Sequence, residues 1–171
     1  MNLNSVKHVC ICGQQANYNC VNYFSNAIEL TIRHYFKKSD NSISTTLNRM
    51  IPLTQLTKLV IESYGFPLKE IVKLLCFTSN LYILKLNFLS LNANNSKFIE
   101  QNESFQYVSN QNKIKNLHLR DCRALNKIQL IVKLFPQLEY LKARMYRKQI
   151  GEIIQFLLSK PNNKIEHLFF F

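Results

Sequence analysis

The groups able to do chemistry are few: four His, five Cys, and ten Asp and Glu together in 171 residues. His8, Cys10 and Cys12 share one face if their segment is extended, and with Cys20 they come nearest to a zinc-ligand set. Structural zinc sites usually take ligand pairs spaced by about two to four residues from two knuckles. Cys10-Ile-Cys12 lacks that spacing, so buried or idle thiols are the expectation and neither metal nor cofactor is assigned. His8, His34, His118 and His167 have no accompanying Asp or Ser signature, and three scattered Gly cannot build a phosphate-cradling loop. Ten acids leave little material for paired-carboxylate catalysis. A non-enzymatic protein with no catalytic residue is expected.

Charge points toward binding instead. Lys and Arg outnumber Asp and Glu by 22 to 10, giving a net charge of +12 and a pI near 9.6. Acidic protein surfaces, nucleic acid and phospholipid headgroups would all be drawn to such a chain at low salt, although attraction is not specificity. The cysteine count is odd and irregularly spaced, and the first residues, Met-Asn-Leu-Asn-Ser-Val-Lys, hold no apolar run of signal-peptide length. A reducing compartment, cytoplasmic or nuclear, is therefore expected. Apolar runs such as Phe156-Leu157-Leu158 fall far short of the ~20 residues that cross a bilayer. Asn102-Glu103-Ser104 is a glycosylation sequon on paper. At this length one domain, 1–171, is the default.

The elements that would position these charges announce themselves by repetition. In Ile114-Lys-Asn-Leu-His-Leu-Arg-Asp-Cys122 the apolar positions are the first, fourth and sixth. As a strand this stretch buries Leu117 and Leu119 and turns Asn116, His118 and Arg120 the other way. The same spacing returns at Leu56-Leu59-Ile61, Leu81-Leu84-Leu86, Leu138-Leu141-Ala143 and Ile165-Leu168-Phe170, with poorer copies at Val6-Val9-Ile11 and Ala27-Leu30-Ile32. Successive starts at 6, 27, 56, 81, 114, 138 and 165 are 21, 29, 25, 33, 24 and 27 residues apart, the span of one strand plus one helix. Helical periodicity fills the gaps. Leu68, Ile71, Val72 and Leu75 follow Pro67, which suits a first helical turn; Leu125, Ile128, Val132 and Phe135 end at Pro136; Ile150, Ile153, Ile154 and Leu157 end before Pro161. Phe98, Phe105 and Val108 form a further stripe, and Ile43, Leu47, Met50 and Ile51 another. An Asn, Gln or Pro stands before each clear strand.

Strands alternating with helices over short connections predict a parallel sheet covered by helices on one side. Lys, His and Asn at alternate strand positions put the other side in water, which favours a solenoid over a doubly wound sheet. The segments Leu81-Tyr-Ile-Leu-Lys-Leu-Asn-Phe-Leu89 and Ile114 to Cys122, with Leu134-Phe-Pro-Gln-Leu138, resemble the leucine-rich repeat, in its longer ribonuclease-inhibitor-like and F-box-associated form. The resemblance covers Leu56 to Phe170 and is poor over 1–55. It implies an α/β solenoid of about five to seven repeats, a horseshoe with strands on the concave side and helices on the convex side. It also implies an adaptor that binds protein on the concave face, as F-box members do for a ubiquitin ligase. The family's ninth position is Asn or Cys; Cys122 matches, whereas Gln14, Tyr35, Tyr64, Leu89 and Tyr146 do not, and no F-box helical segment is present.

On that plan the third, fifth and seventh repeat positions face a partner. They form a basic ladder with aromatic rungs, and the expected contact set is Lys85, Asn116, His118, Arg120, Tyr140, Lys142 and Arg144. An acidic protein segment is the expected partner. Nucleic acid is the alternative, disfavoured because Lys69, Lys73, Lys127, Lys133, Arg147 and Lys148 spread the charge over the helices as well. The end at His167-Leu-Phe-Phe-Phe171 leaves an apolar edge without a polar cap, implying self-association through that edge or a longer gene product.

Overall fold

A computed structural model describes residues 3–12, 22–34, 43–64, 66–87, 100–120, 125–159 and 164–170. Within them lie seven strands: β1 (His8–Ile11), β2 (Glu29–Ile32), β3 (Lys58–Ile61), β4 (Ile83–Leu86), β5 (Asn116–Leu119), β6 (Tyr140–Ala143) and β7 (His167–Phe170). Five helices alternate with the later strands: α1 (Ile43–Asn48), α2 (Leu68–Leu75), α3 (Glu103–Gln111), α4 (Leu125–Leu134) and α5 (Arg147–Leu158). The strands form one open sheet in chain order, every neighbouring pair parallel.

Every strand begins two residues after a 1-4-6 triplet begins, including the two poorer copies. The cause is the pairing register. Val9, Leu30, Leu59, Leu84, Leu117, Leu141 and Leu168 occupy one continuous row, and Ile11, Ile32, Ile61, Leu86, Leu119, Ala143 and Phe170 the next. These rows turn toward the helices, and all but Leu168 and Phe170 are buried. A fully buried leucine contributes about 1.5–3 kcal/mol over an exposed one, so each rung favours this register over a one-residue slip that would invert every side chain.

The junctions between repeats are alike. The carbonyls of Lys7, Ile28, Thr57, Tyr82, Lys115 and Glu139 each accept two N–H groups from the following repeat, at 2.8 to 3.3 Å. Side chains just ahead of the strands add cross-links: the Asn26 amide donates to the Asn4 carbonyl at 2.7 Å, Asn80 to the Thr54 carbonyl at 2.9 Å, and Lys164 to the Gln137 amide oxygen at 3.0 Å. The pre-strand Asn and Gln residues thus tie one coil to the previous one. Asn112 ends α3, receives the Ile114 N–H at 3.2 Å and donates to the Leu134 carbonyl at the end of α4 at 3.0 Å.

The helices pack on one another in chain order and bury their apolar stripes in the core beneath the sheet. α2 buries Leu68, Ile71, Val72, Leu74 and Leu75, with Glu70 in its first turn, where the helix dipole favours an acid. Pro67 sits just outside this helix, at the capping position rather than in the first turn. In α4 the buried stripe is Ile128, Leu130, Ile131 and Leu134, while Val132 lies at its margin, a rotation set by the neighbouring helices that periodicity alone did not give. Asn102, the first residue of the sequon, caps α3: its side-chain oxygen accepts the Ser104 N–H at 2.9 Å. α3 buries Phe105 and Val108, and Phe98 of the expected stripe lies outside the described residues. The last helix, α5, buries only Ile153 and Leu157.

Candidate partner-binding face

The face of the sheet turned away from the helices carries three rows of side chains. The first is His8, Glu29, Lys58, Ile83, Asn116, Tyr140 and His167; the second is Cys10, Thr31, Val60, Lys85, His118, Lys142 and Phe169. A third row follows because pairing continues one residue past the strands. The N–H groups of Arg33, Glu62, Asn87, Arg120 and Arg144 donate to the carbonyls of Ile11, Ile32, Ile61, Leu86 and Leu119 at 2.8 to 3.0 Å.

All seven expected contact residues fall on three adjoining strands of this face or directly after them. Lys85, His118 and Lys142 are consecutive in the second row. Asn116 lies beside Tyr140 in the first row, and Arg120 beside Arg144 in the third. With strands about 4.8 Å apart, Lys85 and Lys142 are separated by two spacings, roughly 10 Å, with the imidazole between them. Burial pushes the His118 pKa below its ordinary value, and the positive charges of Lys85 and Lys142 push it the same way. Both causes favour the neutral form of the ring.

Tyr140 organises the aromatic part. Its ring stacks on His118 at 5.4 Å between centroids and 25° between planes, and on Phe169 at 5.1 Å and 30°, while His167 tilts against it at 6.4 Å. Sequence reasoning placed His167 and Phe169 on this face but left them out of the contact set. Their signal was available, since they hold the third and fifth positions of the last triplet. Phe169 is half exposed, an aromatic ring next to Lys142 on the open face.

Acids are distributed unevenly on the face. Glu29 receives the Lys58 ammonium at 2.7 Å, and Glu62 meets the Arg33 guanidinium at 3.2 Å, so β2 and β3 carry matched charges. None of the described open-face positions from Ile83 to Phe169 is Asp or Glu. Glu139, the residue before β6, is engaged by Lys115, and this pairing raises the Lys115 pKa. Lys133 is likewise occupied, by Glu100 at 2.7 Å.

At the other end of the face His8 Nε2 lies 2.9 Å from Thr31 Oγ1, and Cys10 and Cys12 project from the same side. The described residues contain no group of three or more His, Cys, Asp or Glu able to hold a metal ion, and Cys20 and Cys122 lie outside them. Tyr64 and Tyr146, at ninth repeat positions, are both exposed; the other ninth positions are not among the described residues. Cys76, on the apolar side of the end of α2, is half buried, and burial pushes its thiol up. No described helix is long and apolar enough to cross a membrane. Comparison with protein-family models, with curated proteins and with solved structures finds no match to this chain.

Proposed function

We propose that the chain is a leucine-rich-repeat-like solenoid, its strands on the concave side of a horseshoe, acting as a non-enzymatic module that recognises an acidic protein segment. One observation carries this reading. From β4 to β7 the open face gathers Lys85, Arg120, Lys142 and Arg144 around the His118–Tyr140–Phe169 stack, with no acid among the described face positions. Arg and aromatic side chains are the groups that dominate interface energetics, because they desolvate well and keep a donor or a π face for the partner. A carboxylate seated between Lys85 and Lys142 would also hydrogen-bond protonated His118. A role as the substrate-recognition part of a ubiquitin ligase is the specific form the repeat resemblance suggests.

Co-purification from native lysate, comparing the natural chain with Arg120→Glu/Lys142→Glu, tests the site. The expected result is loss of the acidic partner by the double variant at unchanged folded content; retention of every native partner overturns the assignment. Titration with an unrelated DNA duplex over a salt series separates the partner classes. A steep, sequence-blind fall of log affinity with log salt would move the reading to nucleic acid, and weak, salt-flat binding supports a protein partner.

A further inference from the structure

Cys10 and Cys12 play no part in that reading. Both are exposed free thiols, and their Sγ atoms are 3.4 Å apart. The proximity comes from the extended backbone: residues two apart share a face, and here they hold the second and third rows beside β1, which among the described residues pairs with β2 alone. Arg33 stands beside Cys12 in the third row and acts on both thiols through its charge. Glu62 holds Arg33 from the far side at 3.2 Å, and the nearby His8 ring is taken up by Thr31. Of zinc's four ligands the described residues offer only this pair.

Two sulfurs at this separation need only a small movement to reach the ~2.05 Å of a disulfide. The Cα atoms of residues two apart on an extended chain are about 6.6 Å apart, near the upper limit of roughly 6.8 Å for a bridge. Cys12 lies one residue past β1.

We propose that Cys10 and Cys12 form a reversible dithiol–disulfide couple that exchanges with low-molecular-weight disulfides of the glutathione type. Cys12, next to Arg33 in the third row, gives up its proton and attacks one sulfur of the small disulfide. The small S–S bond breaks, and the first thiolate leaves and takes up the proton that Cys12 lost. Cys10 then gives up its proton and attacks the Cys12 sulfur of the mixed disulfide, expelling the second small thiolate, which takes that proton. The two protein thiols are oxidised to one disulfide, and the small disulfide is reduced to two thiols. Burial and the adjacent Cys12 push the Cys10 thiol up, which suits it to the second, resolving step rather than the first.

The test incubates the full chain with oxidised glutathione, quenches with acid, alkylates the remaining thiols and maps them by tandem mass spectrometry. In the natural chain Cys10 and Cys12 should escape alkylation together, with loss of two hydrogens and no lasting adduct. Cys10→Ser should instead accumulate glutathione on Cys12, and Arg33→Gln should slow bridge formation several-fold. Three results would overturn the proposal: a persistent glutathione adduct on the natural chain, bridging of either residue to Cys20 (resolved by fragmentation within the same tryptic peptide), or an equal rate in the urea-unfolded chain.

Discussion

The two halves of the open face share one backbone lattice and differ in almost everything attached to it. Around β2 and β3 the cations are matched, Lys58 with Glu29 and Arg33 with Glu62, and the second row is Thr31 and Val60. Around β5 and β6 the corresponding positions are Asn116, His118, Arg120, Tyr140, Lys142 and Arg144, with no acid in register. The difference teaches that the helix-covered rows stay apolar throughout while the outward rows are charge-matched in one stretch and cationic in another. Lys58 and Arg33 already hold carboxylates, which an anionic partner would have to displace.

The largest effect should come from breaking what the halves have in common. Leu84 and Leu117 are fully buried neighbours in one row, and Leu117→Ala should lose about 2–5 kcal/mol of stability. One cooperative transition, read by both far-ultraviolet dichroism and tyrosine fluorescence, is expected; separate melting of the N-terminal strands would split the molecule into two units.

Next comes the contrast in charge. Arg120→Glu/Lys142→Glu should weaken an acidic partner by tenfold or more, whereas Arg33→Glu/Lys58→Glu should change binding far less. Surface substitutions of this kind usually shift stability within about 0.5 kcal/mol. Equal losses from both pairs, measured by calorimetric titration, would erase the distinction between the halves.

Smaller again is the aromatic contribution. Tyr140→Ala removes the stack with His118 and Phe169, and each aromatic pair is worth about 0.5–1.5 kcal/mol beyond area burial. Weaker partner binding with the strand register intact by hydrogen exchange is the expected outcome.

The last contrast is in pH. The His118 pKa is lowered in the folded chain, so between its folded and ordinary values the unfolded chain binds more protons. Stability should therefore fall as pH drops below about 6.5, the ordinary value, and His118→Gln should flatten that part of the profile. Binding should move the opposite way, strengthening on acidification as a bound carboxylate favours the charged imidazole. Identical pH profiles for both proteins would remove His118 from the account.

Much of the strand lattice was legible because a parallel sheet with one covered face admits few alternatives. Even Val6-Val9-Ile11 and Ala27-Leu30-Ile32, uninformative alone, fell into β1 and β2 because the same inward positions had to be apolar in every coil. Helix rotation was less readable. In α4 several aliphatic residues compete, and packing against α3 and α5 selected Ile131 and Leu134 over Val132. Asn102 shows a cap that was not read from the sequence, its side-chain oxygen accepting one of the first N–H groups of a helix. The ion pairs on β2 and β3 were hidden because Glu29 and Lys58 are 29 residues apart and become neighbours only through register. The closeness of the two thiols on β1 followed from a two-residue spacing, but Arg33 beside them did not.

The shared carbonyl at each junction has a consequence for how such a chain can change. Each hand-off from one coil to the next involves the same few backbone atoms, whether the step from one triplet to the next is 21 residues or 33. Insertions on the helical side should therefore leave the pitch of the outward charges untouched. Recognition and length can vary independently, which is how a protein of this build could acquire a new client by altering three or four side chains without re-solving its folding problem.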